Sequence, residues 1–165
     1  KTGFYVAMAR HSARGGVVGF DTETRPTFRV GQKYPPALAQ VATENAVYLL
    51  QLQRMDFSPL LRALLESDAV KAGVGIGDDV KALREVFGFS PQNILDLGAT
   101  ARRHNIERSG VRTLAALFLG LRIPKGAKTT NWARTRLSEQ QITYAATDAW
   151  ACRELYLLFR SRGLV

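Results

Sequence analysis

The sequence predicts an α/β domain with a mixed central sheet, an antiparallel hairpin followed by parallel strands, flanked by helices on both faces. Three observations carry this prediction. "VVGFDTET", residues 17–24, begins as a strand apolar on both sides: Val18 and Phe20 point one way, Val17 and Gly19 the other, as in a central strand covered from both faces. "ALAQVATENAVYLLQL", residues 37–52, reads as two strands joined by a turn at Glu44 and Asn45. From there on, helical and strand patterns alternate, which calls for helices packed on a sheet.

The elements follow in order. A helical pattern runs from about Phe4 to Ala13, ahead of the first strand. Beyond the hairpin, Ser58-Pro59 sets an N-cap residue before a proline at the first helical position, so a helix is expected to about Ser67. "AVKAGVGI" is a strand, and "DDVKALREVFG" a helix that Gly88 can terminate. A short strand near Ile94 to Leu97 precedes helices around Ala99 to His104 and Arg112 to Leu119. "RIPKGAKTTNWART" is a basic loop, after which Ser138 and Gln141 form a capping box for a long final helix. On that helix Tyr144, Asp148, Ala151, Leu155 and Leu158 share a row, beside an apolar stripe of Ile142, Ala145, Ala149, Cys152, Tyr156 and Phe159. Asp148 is thereby expected on or beside a core-facing surface.

The 165 residues, 46% hydrophobic and 22% charged, have the composition of a globular protein that buries a core without disulfides, and residues 1–165 are expected to form a single domain. The chain opens on Lys1 rather than Met, as an excised fragment would. No apolar run is long enough to span a bilayer, and the first 16 residues lack the apolar stretch and cleavage site of a signal peptide. With a single cysteine, Cys152, an intracellular and by default cytoplasmic location is the expectation. Lys and Arg number 23 against 14 Asp and Glu, a net charge of +9 that attracts polyanions.

Against that basic background, a few acids stand where core is expected. Asp21 and Glu23 lie two apart on a strand, so they share a face and sit about 7 Å apart along the chain. An isolated pair of this kind is ordinarily a solvated strand end, and further acids decide the matter. Asp78 and Asp79 open a helix directly after a strand, where N-capping accounts for either one. The glycines before them suggest a dinucleotide fingerprint, but G-x-G-x-G-D-D departs from G-x-G-x-x-G and its aspartates would repel a pyrophosphate. Asp148 adds a fourth acid. Carboxylates that converge from a strand and two helices oppose folding unless a cation neutralises them. Oxygen ligands select hard divalent ions, and two such ions about 3.5–4 Å apart suit phosphoryl chemistry.

"FDTET", "GVGIGDDVKAL" and "NWARTRLSEQQITYAATDAW" together resemble the three motifs of the DEDDy 3′–5′ exonucleases, the RNase D and Werner-type branch of the RNase H-like superfamily. The likeness extends over nearly the whole chain. Asp21 and Glu23 match the first motif, Asp79 with Leu83 the second, and Tyr144 with Asp148 the third. The histidine branch of the superfamily would need His at 143, where Thr143 stands.

The resemblance implies an RNase H-like fold and hydrolysis of the 3′-terminal phosphodiester of DNA or RNA by two divalent ions, Mg²⁺ or Mn²⁺, releasing nucleoside 5′-monophosphates. Asp21, Glu23, Asp79 and Asp148 are then the metal ligands, with Asp21 shared between the ions. Tyr144, whose ordinary pKa is near 10, is expected to position water or phosphate rather than act as a base. The candidate substrate contacts are Thr22, Lys33, Lys125, Lys128, Trp132 and Arg134. Trp132 either stacks on a base or anchors its basic loop to the core. Arg25, Phe28 and Tyr34 follow the first motif along the expected path of the strand. The alternative to an enzyme is a catalytically silent nucleic-acid-binding module of the same fold.

Overall fold

The computed structural model describes residues 16–165, so the expected helical segment from Phe4 to Ala13 lies outside the described residues. Five strands form one sheet: β1 (Val17–Thr24), β2 (Pro36–Ala42), β3 (Val47–Gln51), β4 (Val70–Gly73) and β5 (Ile94–Asp96). Their order is β3-β2-β1-β4-β5. The β1–β2 and β2–β3 pairs are antiparallel, while β4 runs parallel to both β1 and β5. The mixed sheet expected from the sequence is therefore present, with β1 at its centre.

Both faces of β1 are covered, as its apolar pattern requires. Val18 and Phe20 pack with Leu61 and Leu64 of α1 (Ser58–Leu65) and with Ile76, Val80 and Leu83 of α2 (Ile76–Phe87). On the other face Val17 meets Leu97 and Ala101 of α3 (Leu97–Arg103), Leu114 of α4 (Val111–Leu114), and Cys152, Leu155 and Phe159 of α5 (Glu139–Ser161). α4 runs straight on into a wider π-helical turn, Ala115–Leu119, that Gly120 ends in the left-handed conformation. Gly19 lets α5 lie directly on the strand, since a Cβ there would come within 1.9 Å of the Ala149 carbonyl oxygen.

Helix starts show how local chemistry adjusts the expected boundaries. Ser58 is not an N-cap: Phe57 holds that place, and the Asp56 carboxylate accepts from the Ser58 backbone N–H at 2.9 Å and from its hydroxyl at 2.5 Å. α2 begins two residues before Asp78, because Gly75 turns at φ 66° and its N–H is held by Asp96 Oδ1 at 3.0 Å. Both halves of the Ser138–Gln141 capping box are formed. In α5 the expected stripe holds except at its start. Gln141 takes the buried place there, donating to Thr130 Oγ1 and the Asn131 carbonyl, and Ile142 is turned outward, 44% exposed.

Candidate active site

Strand alternation and the ends of two helices bring the acids together. Asp21 and Glu23 project from the second half of β1 toward α5, where Asp148 stands only 3% exposed among small core residues. Carboxylate oxygens of Asp21, Glu23 and Asp148 all lie within 4.8 Å of one another. Asp79 approaches from the first turn of α2, and Thr22, on the opposite face of β1 from its neighbours, donates its hydroxyl to Asp79 Oδ1. Asp78 is exposed. All four acids, with Thr22, Arg112, Lys128 and Tyr144, line one cavity of about 490 Å³.

Burial raises the proton affinity of every acid in this cavity, and repulsion between the acids adds to it for Asp21 and Glu23. Burial, followed by repulsion from Glu23, Asp79 and Asp148, pushes the Asp21 carboxyl well above its ordinary range. Glu23 rises to about 8, through burial and then the charge of Asp148, with the Gln40 amide opposing. Asp79 and Asp148 each rise to about 6 by burial, moderated by the Thr22 hydroxyl in one case and by Tyr144, Arg112 and Lys128 in the other. The Tyr144 phenol is raised as well, by burial and by the negative charges of Asp148, Glu23 and Asp21, so it keeps its proton at neutral pH.

The donor set fits a hard divalent cation. Three carboxylates converge, and the buried Oδ1 of Asp148 has no hydrogen-bond partner among the described residues, although buried polar atoms are normally paired. A family model described as 3′–5′ exonuclease matches residues 4–163. The chain belongs to the 3′–5′ exonuclease family. The chain is 35% identical over 150 residues to the bifunctional 3′–5′ exonuclease/ATP-dependent helicase WRN of Mus musculus, covering 86% of this chain and 11% of that protein. It is 32% identical over 142 residues to ribonuclease D of Haemophilus influenzae, covering 84% of this chain and 35% of that one. The chain thus spans about a third or less of these relatives. Among solved structures, the Nibbler exonuclease domain of Aedes aegypti superposes with a TM-score of 0.80 at 24% identity, covering 96% of this chain and 84% of that one. Escherichia coli RNase D superposes at 0.77 and 23% identity, over 96% of this chain and 44% of its own. The fold shared with these exonucleases is RNase H-like.

Within this chain the expected substrate contacts scatter. Lys128 lies on the cavity with the acids, and Thr22 does too, its hydroxyl engaged by Asp79. Trp132 corrects one expectation. Its ring is 1% exposed, packed with Ala37, Leu38 and Ala145, and its Nε1 donates to the Lys128 carbonyl, so it anchors the loop and offers no face to a base. Lys125 borders a separate apolar cavity of about 250 Å³, reached across Tyr144. Arg134 lies in a third cavity, beside Gln51 and Arg54. Lys33 is exposed and pairs with Glu85 of α2 at 3.3 Å. Near it the Arg25 guanidinium covers the Tyr34 ring at 4.9 Å, and Phe28 stands 87% exposed.

Two residues at the site escaped sequence reasoning. Gln40 faces Asp21 across the β1–β2 register, is fully buried, and donates from Nε2 to Glu23 Oε1 and to the Ala145 carbonyl, both at 3.5 Å. A polar residue inside the apolar run "ALAQVA" was the signal for it. Arg112 lines the cavity from the start of α4 and shares its sequence neighbourhood with many basic residues, so nothing in the sequence sets it apart.

Proposed function

We propose that this exonuclease hydrolyses the 3′-terminal phosphodiester of a DNA or RNA strand and releases nucleoside 5′-monophosphates, using two divalent ions. The observation that carries the reading is the trio of Asp21, Glu23 and Asp148, which no protein cation neutralises within ion-pair distance among the described residues. Asp21, Glu23 and Asp148 would hold one ion and Asp21 with Asp79 would serve a second, supplying positive charge to the scissile phosphate and ionising water at neutral pH. The chain's own groups do the rest. Tyr144 keeps its hydroxyl proton and offers it to Asp148 or to a phosphate oxygen, which suits a positioning role. Thr22 orients Asp79 through its hydroxyl. Lys128 supplies a cation on the cavity wall for the strand's phosphates. A structural neighbour, the Brucella melitensis NrnC, is described bound to pGG, which supports a nucleotide strand as the occupant of this kind of fold.

The test is a digest of 5′-labelled single-stranded DNA and RNA with Mg²⁺, Mn²⁺ or EDTA, beside Asp148→Asn. A ladder shortening from the 3′ end, dependent on metal and lost in the variant, is expected. Binding without shortening under every metal condition would instead establish the silent module.

A further inference from the structure

Arg112 stands in the first turn of α4 and lines the cavity that holds the four acids. Its Nε donates to the Ile123 carbonyl at 2.9 Å, tying α4 to the segment that leads to Lys128 and fixing the plane of the guanidinium. Neither Nη group has a hydrogen-bond partner among the described residues. The ion pairs among those residues join Lys33 to Glu85 and Arg153 to Glu154, so Arg112 is paired with no carboxylate. Its charge nevertheless reaches Asp148, whose carboxyl it helps to keep ionised.

A half-buried guanidinium beside buried carboxylates ordinarily closes onto one of them as a fork, the strongest contact open to it. The Ile123 tether holds Arg112 back from that contact. What remains is a tethered cation lining the same cavity as the carboxylates, a cavity large enough for part of a nucleotide. We propose that Arg112 binds a phosphate of the nucleic-acid strand, presenting both Nη groups to its non-bridging oxygens. The inference rests on the exonuclease reading of the same cavity and adds a substrate ligand to it. Lysine could not serve equally, having neither a fork nor an Nε for the tether.

The test compares the parent with Arg112→Met and Arg112→Lys. Anisotropy of a 5′-labelled single-stranded oligonucleotide is followed across salt concentrations in the Asp148→Asn background, and kcat/KM is measured in the active one. Loss of one phosphate contact lowers the slope of log K against log salt by about 0.7, the expectation for Arg112→Met. Arg112→Lys should keep the slope but lose roughly tenfold or more in kcat/KM, since a charge-assisted fork is reduced to a point charge. An unchanged slope in a folded Arg112→Met, or parental kcat/KM in Arg112→Lys, would overturn the proposal and leave Arg112 as a tether for the 120–128 segment. Should the parent bind strands without shortening them, the exonuclease reading falls. A slope difference in Arg112→Met would then still establish the phosphate contact.

Discussion

At the scale of single residues, Asp21 is desolvated and repelled by the other acids of the cavity. Its carboxyl is crowded by three others, and replacing it by asparagine keeps the acceptor for the Thr22 N–H while removing a charge. Asp21→Asn should therefore abolish hydrolysis and yet raise the melting temperature of the metal-free protein, a combination read by digestion and thermal unfolding in EDTA. A variant less stable than the parent there would mean that the charge is not repelled. Trp132 makes the opposite case. Truncating a buried aromatic costs about 3–5 kcal/mol, so Trp132→Ala should lower stability strongly, while Trp132→Phe keeps strand affinity. An affinity loss in Trp132→Phe without a fall in melting temperature would place the ring at the substrate after all. The acids were legible because a period of two on a strand and of four on a helix places like residues on one face. Arg112 and Gln40 were not, since their roles depend on which carbonyl or carboxylate the fold brings beside them.

At the scale of elements, the contact between β1 and α5 decides the site, for one carries Asp21 and Glu23 and the other Tyr144 and Asp148. Gly19 sets that contact. A methyl group at this position would meet the Ala149 carbonyl oxygen at 1.9 Å and the Arg153 amide nitrogen at 2.8 Å, backbone atoms that a rotamer change cannot move aside. Gly19→Ala should cost about 3 kcal/mol by overpacking and separate the two halves of the site, lowering kcat even where the variant stays folded. Unfolding curves and turnover measured together check this, and parental turnover would sink it. The strands and most helices were readable from their periodicity. The start of α1 was not, because Phe57 takes the N-cap place and Asp56, outside the S-P signal, holds the Ser58 N–H, and the outward turn of Ile142 followed from the partners that Gln141 finds in the preceding loop.

For the whole molecule, the site makes stability depend on pH. Glu23 rises from 4.5 to about 8 on folding, and Asp79 and Asp148 from 3.8 to about 6, so the folded state binds more protons than the unfolded one between these values. The contribution of these acids to the stability of the metal-free protein is then most favourable below about pH 4 and falls as pH rises toward 8. The melting temperature in EDTA should drop across that window, and millimolar Mg²⁺ should restore it most at the alkaline end, because ionised ligands bind the cation best. A flat profile without metal would contradict the burial of these acids. The order of the trio along the chain has a further consequence. Asp21 and Glu23 lie on β1 and Asp148 on α5, the first and last elements of the described chain. A ribosome releases the strand early and the helix late. The growing polypeptide therefore carries no assembled trio of acids until α5 has emerged and docked on β1.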